Sequence, residues 1–165
     1  MNPSPVWRLL RTGAGSGAWN MALDEAIFRF LGQGKSPPTL RLYGWCPPCL
    51  SVGYFQAARH DVDLGRLAEA GVDLVRRPSG GRAILHDQEL TYAVVAPLSD
   101  PLVSGGVAQS YGKLAAGLFA ALTVLGVSAE AAPQGGGLNG ALRQAPRQAR
   151  DRARSPACFA ITSTY

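Results

Sequence analysis

At 165 residues the chain has the length of one domain and enough of it to bury a sizeable core. Hydrophobic residues make up 47% and charged residues 16%, which excludes disorder of the whole chain, and no apolar run approaches the roughly 18–20 residues that span a bilayer. The net charge of +5 is not spread over the sequence: five arginines against one aspartate between Arg143 and Arg154 account for most of it, a solvated segment and not a nucleic-acid footprint.

In chain order, Val6 to Leu10 reads as a strand, and Gly13-Ala14-Gly15-Ser16-Gly17 as a flexible turn. A helix follows from Ala18 to Leu31, with Trp19, Ala22, Leu23, Ala26, Ile27 and Phe30 at helical spacing and Glu25 paired with Arg29 on the outer face. Thr39 to Tyr43 and Leu50 to Tyr54 read as strands joined by a Pro-Pro turn, a hairpin candidate. Asp61 or Asp63 can cap a short helix through Ala70 that Gly71 closes. Val72 to Val75, Arg82 to Leu85 and Leu90 to Ala96 are strand-like, and a long helix from Ser104 to Leu125 carries Val107, Tyr111, Leu114, Leu118, Leu122 and Leu125 on one stripe. Residues 132–157 show no periodicity and read as a flexible loop. The expected class is therefore mixed α/β or α+β, in a single domain over 1–165.

Three cysteines, Cys46, Cys49 and Cys158, cannot all pair within one chain, which fits a reducing compartment; with no signal peptide behind Arg8 and Arg11, the expected location is the cytoplasm. Trp45-Cys46-Pro47-Pro48-Cys49 has the spacing of a redox dithiol. A strand pattern follows it, however, and not the helix N-terminus that would activate the first thiol, so two small residues flanking a turn is the favoured reading. No His pair stands at ligand spacing, and no metal site is expected.

The segment Arg76 to Asp87, RRPSGGRAILHD, carries the most chemistry. Gly80 and Gly81 let backbone N–H groups approach a ligand, and the arginines offer forked donors to a carboxylate, phosphate or acyl carbonyl. The same residues also suit a plain tight turn with solvated arginines, and the residues alone leave both open.

This segment resembles the signature of the lipoate–protein ligase and octanoyltransferase superfamily, whose catalytic domain is shared with biotin–protein ligases. Asn20 to Glu25 (NMALDE) resembles the family's first helix, and Pro38 to Trp45 with Leu50 to Gln56 the hairpin after it. Glu89 to Val95 resembles the next strand, and Cys158-Phe159 with Ser163-Thr164-Tyr165 the start of a further block. The similarity runs from about residue 7 to the last residue and implies a biotin/lipoyl–protein ligase-like, class II synthetase-like sheet with packed helices. It also implies that Arg77, Ser79, Gly80, Gly81 and Arg82 line an acyl tunnel with His86 at the end of the following strand, and that Tyr43-Gly44-Trp45 borders it.

Arg82 stands where ATP-dependent ligases usually carry a third glycine, which resembles octanoyltransferases of the Gram-positive type, and Cys158 falls on their cysteine nucleophile. The resemblance then implies octanoyl or lipoyl transfer through a Cys158 thioester to the lysine of a lipoyl carrier domain. The carried group is octanoate or lipoate, and no cofactor is required. Implied partners are acyl carrier protein and lipoyl domains (glycine cleavage H protein or dehydrogenase E2), with no nucleic acid and no membrane. The alternatives are an ATP-dependent lipoate–protein ligase, using ATP and magnesium, and a fragment that binds acyl group or carrier without turnover. The sequence ends at Tyr165, before the family's Gly-Arg-Lys strand, and holds only Lys35 and Lys113. Relatives use the lysine of that strand to activate the thiol, so a sheet incomplete at the C-terminus and impaired catalysis are expected.

Overall fold

The computed structural model describes residues 6–58 and 62–129. The chain is mixed α/β: β1 (Arg8–Gly15), α1 (Gly17–Gly32), β2 (Thr39–Trp45), β3 (Cys49–Val52), α2 (Leu64–Glu69), β4 (Asp73–Arg76), β5 (Ile84–His86), β6 (Thr91–Val95) and α3 (Val107–Val124). The expected loop at 132–157, Cys158 and the alternative cap Asp61 lie outside the described residues.

The strands form two three-stranded sheets, ordered β1-β2-β6 and β4-β3-β5. In the first, β1 runs parallel to β2 and β6 antiparallel to it, Thr39 opposite Val95 and Tyr43 opposite Thr91. In the second, β4 is parallel to β3 and β5 antiparallel, Cys49 facing both Asp73 and His86. The expected β2–β3 hairpin is thus corrected. Pro47 and Pro48 offer no N–H to a ladder, and the chain passes between two sheets at that point.

A second correction concerns residues 13–17. β1 continues through Gly15, and its register against β2 shifts between Arg11 and Ala14, where Gly13 adopts φ 67°. Gly13 serves a bulge inside a strand, which a left-handed glycine accommodates without cost from a Cβ.

Helix α1 packs against strands of both sheets and so brings them around one site. Ser16 caps it through the N–H of Trp19, and the Asp73 carboxylate accepts the Gly17 N–H at 3.0 Å, a negative group at the positive end of the helix. Its buried positions are Gly17, Asn20, Asp24 and Ile27, whereas Trp19 and Phe30, expected on the core stripe, are exposed. The inward face is polar because β2 buries an arginine beneath it.

Every second residue of β2 is buried: Thr39, Arg41, Tyr43 and Trp45. Arg41, fully buried, donates to Asp24 Oδ1 at 2.7 Å, to Asn20 Oδ1 at 2.7 Å, to the Asn20 carbonyl at 3.0 Å and to Thr12 Oγ1 at 3.1 Å. Its guanidinium also lies 3.9 Å from the centre of the Tyr43 ring.

Asp63 caps α2, its side chain accepting the Arg66 N–H. Along α3, Leu114 and Leu122 are half-buried while Tyr111 and Leu118 are exposed, so the expected stripe is only partly covered by the described residues.

Candidate functional site

A cavity of about 400 Å³ lies between α1, the two sheets and the turn after β4. Met21, Phe28, Ile84 and the run from Tyr92 to Ala96 supply its apolar lining. Phe28, Pro78 and Ser79 line it and are exposed, marking where it meets solvent; Asp24, Tyr43, Trp45, Ser51, Arg77 and His86 line it and are buried, marking its depth.

The turn at the mouth is built around Arg77. Its Nη1 donates to the Ser51 carbonyl at 3.0 Å and to Ser51 Oγ at 3.1 Å, Nη2 to the carbonyls of Gly80 at 2.8 Å and Arg82 at 2.6 Å, and Nε to the Gly80 carbonyl at 3.2 Å. A guanidinium has five N–H donors, so these contacts engage the whole fork within the protein. Arg77 therefore shapes the turn and the buried wall behind it. Ser79 stands at the rim, its carbonyl accepting the Tyr54 N–H at 3.0 Å. Gly80 and Gly81 are half-buried, Gly81 at φ 93°, and the Arg82 side chain is exposed.

Deeper in, a single chain of hydrogen bonds runs across both sheets. Ser51 Oγ lies 2.7 Å from His86 Nε2, and His86 Nδ1 lies 2.7 Å from Glu89 Oε1. The same carboxylate oxygen accepts the Thr91 hydroxyl, and Thr91 Oγ1 accepts Trp45 Nε1–H at 2.7 Å. A carboxylate only accepts, so a ring hydrogen of His86 sits on Nδ1 and Nε2 is the atom that meets the Ser51 hydroxyl. The imidazole stacks on Trp45 with centroids 4.2 Å apart and planes 13° from parallel. Beside this chain, Asp24 accepts from both Arg41 and the Tyr43 hydroxyl, at 2.7 and 3.0 Å. Burial raises the Asp24 carboxyl above its ordinary pKa, against the lowering pull of Arg41 and Tyr43. The Tyr43 hydroxyl is likewise raised, by burial first and the Asp24 charge second.

Among the described residues no buried side-chain nitrogen or oxygen lacks a hydrogen-bond partner. The deep wall thus presents polar side chains whose donors and acceptors are already matched to one another, together with stacked rings. Such a wall, beside the apolar lining of α1 and β6, suits a hydrocarbon chain. Among the described residues there is also no group of three or more His, Cys, Asp or Glu placed to hold a metal ion.

Arg77, Ser79 and His86 are brought together in this cavity, with Gly80, Gly81 and the Arg82 backbone forming the turn beside them. Tyr43 and Trp45 border it; Cys158 lies outside the described residues. Sequence reasoning does not single out Ser51, Glu89, Thr91 or Asp24 as members of the site. The signal available for all four was their place inside the NMALDE, LSVGYFQ and ELTYAVV segments.

Cys46 is exposed and Cys49 buried, on either side of the Pro-Pro turn with no helix at either. Burial, and secondarily the Asp73 carboxylate, pushes the Cys49 thiol up to about 12. Near pH 8 an alkylating reagent should therefore label Cys46 and spare Cys49 in the folded protein, as peptide mass mapping would show; rapid labelling of Cys49 would contradict this packing.

Residues 16–144 match the family profile of the lipoyl protein ligase A/B catalytic domain. Octanoyltransferase LipM of Kyrpidia tusciae is 53% identical over 124 residues, 75% of this chain and 45% of that protein. Octanoyltransferase LipM of Symbiobacterium thermophilum is 46% identical over 159 residues, 96% of this chain and 54% of that protein. Among solved structures, a bipartite lipoate protein ligase from Thermoplasma acidophilum superposes with a TM-score of 0.65 at 30% identity, covering 76% of this chain and 48% of that one. A lipoate-protein ligase A bound with ATP superposes with a TM-score of 0.60 at 32% identity, covering 74% and 47%. The chain spans about half the length of the curated relatives it matches.

Proposed function

The chain belongs to the family of lipoyl protein ligase A/B catalytic domains, and from that premise we propose that it serves an acyltransferase of lipoate metabolism, moving an octanoyl (or lipoyl) group to the lysine of a lipoyl carrier domain in the cytoplasm. The observation that carries this reading is the cavity itself: apolar along α1 and β6, internally hydrogen-bonded at its depth, and open at the Gly-Gly turn. An acyl chain enters methyl end first, toward Trp45 and His86, and leaves its carbonyl at Ser79. Burying about seven carbons at about 0.8 kcal/mol each gives about 5 to 6 kcal/mol, a dissociation constant near ~0.1 mM before other costs. That suits a group delivered on a carrier and passed on.

In the transfer, the Cys158 thiolate attacks the thioester carbonyl of the donor carrier. The carbon–sulfur bond to the donor breaks and a new one to Cys158 forms, the donor leaving as a thiolate that takes up the proton Cys158 released on ionising. The acceptor lysine, as free amine, then attacks the Cys158 thioester, forming the amide and returning the thiol. The described residues hold the acyl chain and shape the turn at which its carbonyl emerges. This route uses no nucleotide or metal. Names of relatives that include octanoyltransferase favour it over the ligase reading.

Incubation with octanoyl-carrier protein should leave a hydroxylamine-labile octanoyl mass on the parent and none on Cys158→Ala. An adduct on Cys158→Ala would remove the nucleophile assignment. Lipoate-dependent release of pyrophosphate from ATP would establish the ligase reading instead.

A further inference from the structure

Tyr54 and Phe55 follow β3 and stand out from the protein, 56% and 80% exposed, their rings edge to face at 4.9 Å. The turn that carries them is firmly held. Nη1 of Arg76 donates to the carbonyls of Gly53, Tyr54 and Gln56 at 2.7, 2.8 and 2.9 Å. Gln56 closes the turn, its side-chain oxygen accepting the Gly53 N–H at 3.1 Å and its own N–H reaching the Gly53 carbonyl at 3.0 Å. The Tyr54 N–H donates to the Ser79 carbonyl at 3.0 Å, so the aromatic pair is fastened to the rim of the cavity.

We propose that the Tyr54–Phe55 turn is the seat for the protein domain that presents the acceptor lysine. The inference rests on the reading above, that the acyl group leaves the cavity for a lysine amine. A lysine amine hangs on a four-carbon stem, so the domain bearing it must set its own backbone against the rim, whereas a donor with a long prosthetic arm can stand further off. Rigid aromatic side chains on a preorganised turn provide contact area with little entropy left to lose. Charge points the same way. Residues 53–58 and 76–83 hold no acidic residue, and of their arginines Arg76 and Arg82 are exposed while Arg77 is buried, so the two at the surface favour a partner with an acidic face around its lysine.

The test titrates the full chain into an isotope-labelled apo lipoyl domain, followed by NMR, with a parallel titration of octanoate into the chain. The parent should shift signals around the acceptor lysine, and Tyr54→Ser with Phe55→Ser should bind the domain at least tenfold more weakly with unchanged octanoate binding. Phe55→Asp, at the more exposed position, is the second variant; it removes one ring, opposes an acidic face, and should weaken binding by a similar factor. Equal affinity of parent and variants for the domain, or no binding by the parent, overturns the docking assignment while octanoate uptake still speaks for the cavity. Domain binding that depends on the two rings, in a chain that takes up no octanoate, upholds this surface and counts against the proposed acyl pocket.

Discussion

Replacing Arg41 by methionine should destabilise the protein by about 3–5 kcal/mol, because it leaves the buried Asp24 carboxylate without its partner. Against the ~5–15 kcal/mol that holds a typical domain together, the loss is severe. Asn20 would lose the donor to its side-chain oxygen as well, and Tyr43 the cation beneath its ring. The pH dependence has a definite sign. The folded-state pKa of Asp24 is already raised above 3.8 by burial, so its ionisation opposes folding, and this part of the stability falls as pH rises from 3.8 through the folded value. Removing Arg41 takes away a lowering influence and widens that gap. The deficit of the variant should therefore be greatest near neutral pH and shrink on acidification toward 3.8. Urea unfolding of parent and variant at several pH values measures it; a deficit under ~1 kcal/mol, or one that grows on acidification, would contradict the pairing.

Gly53→Ala is expected to damage the mouth of the cavity more than any other exchange of one methyl group. A Cβ there would stand 2.0 Å from the Gly81 carbonyl oxygen and 2.9 Å from its carbon, both backbone atoms that cannot rotate aside. The Gly80–Gly81 turn has to move, and with it the carbonyl that Arg77 grips at 2.8 Å. Overpacking of this kind costs about 1–3 kcal/mol or more, and octanoate affinity should fall at least tenfold. Gly44→Ala is the control: its nearest neighbour would be the Ala14 side chain at 3.5 Å, ordinary contact. Calorimetric titration with octanoate on the two variants should separate them. Equal affinities would mean that the close approach of the two turns does not shape the site.

What the sequence shows of this fold follows from how local each signal is. The bounds of α1 are legible because a serine cap and glycines mark its ends, and α3 because its apolar spacing persists over five turns. The inward face of α1 is not legible from periodicity. Hydrophobicity points to Trp19 and Phe30, yet the helix turns Asn20 and Asp24 inward to satisfy Arg41, a residue on another element. The two-sheet arrangement is hidden for a similar reason: strands on either side of a turn suggest a hairpin, and only the pairing of β3 with β4 and β5 shows otherwise.

At the site, the turn Arg77 to Arg82 stands out in the sequence by its glycines and charges. The part each residue plays does not. Arg77 looks like a ligand-binding group, and its five donors go to backbone carbonyls and Ser51. Ser51, His86 and Glu89 become one hydrogen-bonded chain only because β5 pairs with β3 in the register that sets Ser51 opposite Ile84, on the same face and two positions along from the Cys49–His86 pair. No spacing rule along a single chain reports that.

The most direct test of the acyl pocket is the pattern of magnetic contacts between bound octanoate, labelled at its terminal methyl, and the protein. The methyl should show intermolecular contacts to the rings of Trp45 and His86, while the carboxylate end perturbs Ser79 and Gly80. A methyl in contact with Ser79, or octanoate that touches none of these residues, would contradict the claim that this cavity holds an acyl chain with its carbonyl at the Gly-Gly turn.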